Sequence, residues 1–404
     1  MTLASASKPT SHSESTPSPA GKPPAPFLRV VAIGGGTGLS TLLRGLKRYV
    51  PAPAASRRAT DATHRRNPDA PLTQAQIDRR IAAVLSPHPC IIRDLAAIVT
   101  VTDDGGSSGR LREDLKMLPP GDVRNCMVAL SEDEHLLAKL FQYRFSHGDL
   151  EGHSFGNLFV AALSGITGDF AQAVQMSSQI LATRGRIYPA TNVDVTLAAR
   201  MDDGSLVQGE TNITASPHRI LELMLEPATA EPLPDTLEAI ANADLITLGP
   251  GSLYTSLITN LLVRGIPEAI AASKATRVYV GNLMTQANES LGLTASQHIE
   301  KILQHCNVES GHSDTGHRDG EESPHFPYPK IFDYALINTA PISPTLLAKY
   351  ASEGQSPIEA DLDKIRALGV EPIPGNFVHE GDVLRHDPDR VTEALLQLAI
   401  AHSA

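Results

Sequence analysis

The apolar run Leu28 to Ile33 ends abruptly at Gly34-Gly35-Gly36-Thr37-Gly38, and a helical spacing of Leu42, Leu43 and Leu46 starts directly behind it. That is the signature of a buried strand, a glycine turn and a helix. The same junction recurs: Leu95 to Val101 runs into Thr102-Asp103-Asp104-Gly105-Gly106-Ser107-Ser108-Gly109, and helical periodicity follows across Leu111 to Met117 and Asp122 to Leu140. It returns at Leu245 to Gly249 before Gly-Pro-Gly-Ser, at Val278 to Gly281 before Asn-Leu-Met-Thr, and at Tyr334 to Asn338. Strands that alternate with helices and carry glycine loops at their carboxyl ends predict an α/β fold, a Rossmann-like and mostly parallel sheet flanked by helices. Ligands of such sheets bind beyond the carboxyl ends of the strands, where the strand order reverses. The informative loops all fall at that edge.

Other segments depart from this rhythm. Residues 1–26 are rich in Ser, Pro, Thr and Ala, with little to bury, and are expected to form a disordered tail preceding one α/β domain over 27–404. Residues 51–94 read as a partly inserted segment with a short helix near Ile77 to Leu85, and 306–327 as a flexible insertion rich in His, Asp, Glu, Ser and Gly. Val193 to Met201 and Ser205 to Ile213 alternate around Asp202-Asp203-Gly204, which predicts a hairpin within a small subdomain at 185–225. Helical spacing covers His153 to Leu181, and a last amphipathic helix covers Val391 to Ala401.

Composition narrows the partners. A net charge of −11 and a pI near 5.7 argue against a nucleic-acid surface, because counterion release needs clustered Lys and Arg. Trp is absent and aromatic residues make up 4%, too few for a base-stacking platform. Cys90, Cys126 and Cys306 lie far apart with no CxxC pair, against both a disulfide framework and a zinc knuckle. No run approaches the roughly 20 apolar residues of a membrane span, and the N-terminus has no apolar signal segment, so a cytoplasmic protein without membrane insertion is expected. Homo-oligomerisation is compatible with the sequence but is not fixed by it.

Four glycines in the five residues from Gly34 to Gly38 would let the backbone approach a phosphate and offer it N–H donors beside a helix N-terminus, without any basic side chain. A turn needing only a positive φ would be satisfied by one glycine. The dinucleotide fingerprint is half matched, since its third glycine falls on Leu39, and the Walker pattern fails for want of Gly-Lys-Ser/Thr. Asp103 and Asp104 have three readings: a ribose contact, a Mg²⁺ site bridging to phosphate oxygens, or turn and cap chemistry. Ser107, Ser108, Arg110 and Arg112 would suit a second anion, or the arginines could simply solvate a helix face.

Gly152-His153-Ser154-Phe155-Gly156 matches the G-x-S-x-G pattern of the α/β-hydrolases, but a polar loop precedes it where the nucleophile elbow needs a strand. His153, Ser154 and Asn157 are better read as helix-capping and ligand hydrogen-bonding groups. Gly249-Pro250-Gly251-Ser252 repeats the logic of the first loop, with Tyr254 and Thr255 adding hydroxyls, and the amide edges from Asn282 to Gln286 suit a base or sugar as well as a plain turn. The histidines at 305, 312, 317 and 325 lack the spacing of a zinc site.

Taken in order, Gly34 to Gly38, Asp103 to Arg112, Gly121-Asp122-Val123-Arg124-Asn125-Cys126, Gly152 to Asn157 and Gly249 to Ser256 closely resemble the gluconeogenesis factor family. That family is a branch of the CofD-like 2-phospho-L-lactate transferase superfamily. The likeness spans Leu28 to Tyr49 and Leu95 to the C-terminus, including Asn282 to Gln286. The resemblance implies a Rossmann-like core and a regulatory protein that binds UDP-sugars and links carbon metabolism to cell shape and cell-wall maintenance. It also implies that Gly35, Gly36, Thr37 and Gly38 line the phosphates, that Asp103 and Asp104 stand nearby as metal or phosphate-site carboxylates, and that Gly251, Ser252 and Asn282 lie close to the same ligand. Two alternatives remain at this point. One is a metal-dependent transferase of a phospho-lactyl-type group from a nucleoside diphosphate carrier; the other is a nicotinamide-dependent oxidoreductase.

Overall fold

The structure, a computed structural model of the chain, describes residues 27–51, 90–132, 136–287, 289–306 and 329–403. The tail at 1–26, most of 51–94 with its expected helix, and nearly all of 306–327 lie outside them.

The first strands are β1 (Leu28–Gly34), β2 (Ile92–Val99) and β3 (Arg186–Pro189), followed by β4 (Thr196–Met201), β5 (Leu206–Gln208) and β6 (Ile220–Glu226). Then come β7 (Leu245–Leu248), β8 (Thr276–Val280), β9 (Tyr334–Asn338) and β10 (Glu371–Gly375), and finally β11 (Val378–Glu380) and β12 (Leu384–His386). Seven of them form one sheet in the order β10-β9-β8-β7-β1-β2-β3, and every pairing in it is parallel. From β1 the chain builds outward through β2 and β3, then returns to place β7 on the other side of β1 and continues to β10. The order therefore reverses between β1 and β7, which is the switch point where an open α/β sheet leaves a crevice.

The sequence forms this sheet because its central strands are apolar on both faces. Every residue of β7 is buried, as are all of β1 except Arg29. Each fully buried Leu, Ile or Val contributes roughly 1.5–3 kcal/mol, which is what makes helices on both faces obligatory. At the opposite, amino-terminal edge the register is pinned by two forked ion pairs. Arg29 donates from Nε and Nη2 to Asp244 at 3.0 and 2.8 Å, and Arg277 does the same to Asp333 at 3.0 and 2.8 Å.

Differences from the sequence reading have local causes. The second strand starts at Ile92, inside the segment read as inserted, and ends at Val99, two residues short of Val101, because it pairs along the length of β1. The single helices expected over Asp122 to Leu140 and His153 to Leu181 are each divided. The first becomes Gly121–Leu130 and Leu136–Gln142; the second becomes Phe155–Thr167 and Phe170–Ile180, separated by left-handed Gly168 and the capping Asp169. The hairpin exists as β4 and β5, but its second strand is three residues long and turns into the helix Glu210–Ala215. The small antiparallel sheet is completed by β6 in the order β5-β4-β6, while β3, inside the expected subdomain, joins the main sheet instead. Cys90, Cys126 and Cys306 are unpaired thiols, and among the described residues no helix is long and apolar enough to cross a membrane.

Candidate functional site

The loop after β1 is anchored by its first residue. The Gly34 carbonyl accepts from Thr100 N–H at 3.1 Å and from Asn260 Nδ2 at 3.1 Å, fixing where the chain leaves the sheet. Gly35 is extended and offers the helix Gly36–Lys47 no side-chain cap, and of the first-turn amides the Gly36 N–H is taken by the Asp122 carboxylate. Gly36 adopts φ +60°, and a Cβ there would find only Ser256 Oγ within 4 Å, at 3.9 Å. Gly38 is required for a different reason: a Cβ on it would lie 2.2 Å from the Pro250 carbonyl oxygen and 2.9 Å from Gly251 N. The two glycine-rich loops are thus in direct backbone contact at the switch point.

Asn282, just past β8, ties in the third loop. Its Nδ2 donates to the Gly251 carbonyl at 2.7 Å and its Oδ1 accepts from Gly251 N–H at 3.3 Å, while Gln286 Nε2 donates to Ser252 Oγ at 2.9 Å. Gly35, Gly36, Thr37, Gly38, Gly251, Ser252 and Asn282 line a single cavity of 290 Å³. Tyr350 and the terminal hairpin residues Leu384, Arg385 and His386 close its far side. Arg385 is exposed and is the one Lys or Arg on the lining. It sits about 350 residues downstream of the first loop in a short strand, so no local pattern marks it.

The other expected residues lie behind this cavity rather than on its wall. Asp122 joins the two groups: a Cβ on Gly35 would lie 2.8 Å from its Oδ2, and its carboxylate accepts from the Gly36 N–H. Burial and then the Asp103 charge push Asp122 up to about 6, against the Gly36 hydrogen bond, which holds it down. Glu210, reached by the small sheet, is pushed up to about 9 by burial and then by Asp103 and Asp122. Neither carried a role in the sequence reading, since only the fold brings residues 103, 122 and 210 together.

Asp103 Oδ1 accepts from Gly105 N–H at 3.0 Å, and Asp104 Oδ1 accepts from both the N–H and the hydroxyl of Thr211, at 2.9 and 2.6 Å. Ser107 Oγ lies 3.0 Å from His153 Nδ1 and accepts from Asn157 Nδ2 at 3.1 Å; a Cβ on Gly121 would lie 2.4 Å from Ser108 Oγ and 2.8 Å from Asp103 Oδ2. His153 is held below its ordinary range by burial and then by the Arg110 charge. Ser154 caps the helix Phe155–Thr167, accepting from Asn157 N–H at 3.2 Å, and follows no sheet strand, so Ser154 does not sit on a nucleophile elbow. Arg110 donates to the Glu151 carbonyl at 2.7 Å, and Arg112 is engaged by Asp194, Val195 and Thr196.

Tyr254 and Thr255 do not add hydroxyls to the cavity. They fall in a buried π-helical turn, Leu253–Ile258, where Thr255 donates to half-buried Glu289 at 3.1 Å and Tyr254 points to the Ile220 carbonyl. His305 is a core connector: Leu223 N–H donates to its Nε2 at 3.1 Å. The histidines at 312, 317 and 325 lie outside the described residues. Among the described residues, the one group of three His, Cys, Asp or Glu side chains with ligand atoms within 4.8 Å of one another is Asp202, Asp203 and His218, exposed at the hairpin tip.

Comparison with known proteins identifies the family of this chain and matches its fold. The family described as 2-phospho-L-lactate transferase CofD matches residues 30–378. The chain is 44% identical to the gluconeogenesis factor of Halalkalibacterium halodurans, over 91% of this chain and 95% of that protein. It is 40% identical to the gluconeogenesis factor of Bacillus subtilis, over 92% and 98%. A crystal structure of a UPF0052 family member from Bacillus halodurans superposes with a TM-score of 0.74 at 43% identity, covering 91% of this chain and 99% of that one. With the motifs, the parallel sheet and the matched length in agreement, the chain belongs to the CofD family, in its gluconeogenesis factor branch.

Proposed function

We propose that this protein binds a nucleotide-sugar of the UDP-sugar class and acts as a regulator that links carbon metabolism to cell-shape and cell-wall maintenance. The observation that carries the binding reading is the single cavity at the β1/β7 switch point, into which both glycine loops open. Backbone amides at a helix N-terminus supply the anion contacts there, and Arg385 supplies a cation across the cavity. The absence of a nucleophile elbow at Ser154 favours binding over acyl transfer. The regulatory role rests on likeness to the gluconeogenesis factors. UDP-N-acetylglucosamine at about 100-fold over its Kd should stabilise the protein by about 2.7 kcal/mol, read as a rise in melting temperature. No shift with any uridine nucleotide would overturn the reading.

A second reading is favoured by one feature, the carboxylates of Asp103, Asp104, Asp122 and Glu210 that stand near one another behind the phosphate loop, although no three of them bring ligand atoms within 4.8 Å of one another. They are the oxygen donors that Mg²⁺ prefers, and such a metal would serve a transferase moving a phospho-lactyl-type group from a nucleoside diphosphate. Asp104→Asn would then lose Mg²⁺-dependent turnover while keeping nucleotide affinity. A donor and acceptor panel without turnover in the unmodified protein would dispose of it.

A further inference from the structure

Three helices, Gly106–Leu115, Gly121–Leu130 and Phe155–Thr167, begin close together behind the phosphate loop. A Cβ on Gly121 would lie 2.4 Å from Ser108 Oγ, and Asn157 Nδ2 donates to Ser107 Oγ at 3.1 Å. A Cβ on Gly156 would lie 2.8 Å from both Cγ and Cδ of Arg124, so the Arg124 side chain runs across the start of the third helix. That arginine is 9% exposed, and among the described residues it makes neither a hydrogen bond nor an ion pair. Its Nε is sealed without a partner, whereas Nη1 and Nη2 keep accessible surface, so the end of the fork is open to a ligand.

A guanidinium set this deep is costly unless oxygen acceptors pair with it. The chain's own carboxylates do not. Asp122 and Asp103 attract Arg124 without bonding to it, while burial and then the Arg144 charge lower its pKa. Arg144 donates to the Gly152 carbonyl and Arg110 to the Glu151 carbonyl at 2.7 Å, and among the described residues neither makes an ion pair. Gly152, at φ +80°, leaves room for Arg110, since a Cβ there would lie 2.8 Å from Arg110 Nη2. The Arg110 and Arg144 charges both reach His153. Three neighbouring cations without a bonded counter-charge, in a chain of net charge −11, are not the by-product of a basic surface.

We infer that Arg124, flanked by Arg110 and Arg144, forms a second anion site that takes a small oxyanion, a phosphate or a carboxylate, on its open fork. A planar guanidinium matches two oxygens of either group, and the helix N-termini around it add their positive ends. None of the three arginines lines the 290 Å³ cavity at the switch point. The site is therefore separate, and the inference stands whatever that cavity binds.

Calorimetric titration of the full chain with inorganic phosphate and with acetate tests it, in a Gly36→Val background that obstructs the first glycine loop. That protein should bind one equivalent of phosphate or of acetate, and the one that binds names the class of occupant. Adding Arg124→Met should weaken this binding at least about tenfold, the loss expected for hydrogen bonds to a charged group. Arg144→Met, at an exposed position where folding is not at stake, should weaken it in the same direction. In the background without Gly36→Val, Arg124→Met should leave the affinity for UDP-N-acetylglucosamine unchanged. Failure of both anions to bind overturns the inference, as does binding that neither arginine substitution alters. A parallel loss of UDP-N-acetylglucosamine affinity in Arg124→Met overturns it too, because the arginine would then serve the nucleotide. Failure of UDP-N-acetylglucosamine to bind the wild type would sink the nucleotide reading alone.

Discussion

Gly38→Ala is expected to lower stability by roughly 3 kcal/mol, about 4 °C in melting temperature for a chain of this size, and to abolish nucleotide binding together with it. The new methyl would sit 2.2 Å from the Pro250 carbonyl oxygen and 2.6 Å from its carbon, and both are backbone atoms that cannot rotate away. Relief requires the second glycine loop to retreat from the first, which opens the contact that joins them at the switch point. Gly165→Ala is the matched control. That glycine lies inside the helix Phe155–Thr167 with nothing within 4 Å of a Cβ, so the change should be neutral or stabilising by up to about 1 kcal/mol. Thermal denaturation of the two variants side by side separates a close approach from a generic glycine effect. A Gly38→Ala protein as stable as Gly165→Ala would mean that the loops are not packed as described.

Glu210→Gln should stabilise the protein increasingly as pH rises. The Glu210 carboxyl is pushed up to about 9, mainly by burial and then by Asp103 and Asp122, from an ordinary value of 4.5. Between those values the native state holds a proton that the unfolded chain has released. Stability contributed by the protonated group is therefore complete below about pH 4.5 and falls as pH rises through 9. At pH 7 the cost is about 3 kcal/mol, from 2.5 units between the unfolded value and the working pH. Glutamine keeps the shape and an oxygen for the Thr102 hydroxyl, 3.4 Å from Glu210 Oε2, and has no proton to lose. Wild type and variant should coincide near pH 4.5 and diverge steadily to pH 8 in denaturant titrations. Parallel curves across that range would show that Glu210 is ionised in the folded state. Asp122, pushed up to about 6, adds a smaller effect of the same sign, complete by about pH 6.

Much of the sheet was legible because its central strands are short apolar runs that stop at glycine. Tyr334 to Asn338 matched to the residue, and β1 and β7 each differed by one residue at the carboxyl end. The strands that escaped notice carry weaker signals. β10 reads Glu-Pro-Ile-Pro-Gly, and proline is tolerated there only because the strand lies at the sheet edge. β3 is the opposite edge and has four residues.

The same physics divides the site. Gly35 to Gly38, Gly251, Ser252 and Asn282 could be assigned to one edge because parallel strands deliver all their carboxyl ends to the same side. Which of those loops touch depends on strand order, and only the structure places β7 beside β1. Glu210 and Arg385 had no sequence signal, and Asp122 lay in a motif without an assigned role, since a carboxylate or arginine acquires its meaning from burial and neighbours far along the chain. Arg112 was a candidate anion ligand on composition alone, and its ion pair with Asp194 accounts for it structurally.

Calorimetric titration of UDP-N-acetylglucosamine into the wild-type protein and into Gly36→Val is the most direct measurement. The valine Cβ points into open cavity space, with only Ser256 Oγ nearby, so the variant should fold at a cost of about 1–2 kcal/mol for its left-handed backbone. Its methyl groups then occupy the volume assigned to the diphosphate. Saturable heat with wild type and none with a folded Gly36→Val is the expected result; equal affinity in the two proteins would contradict capture of the diphosphate by the first glycine loop.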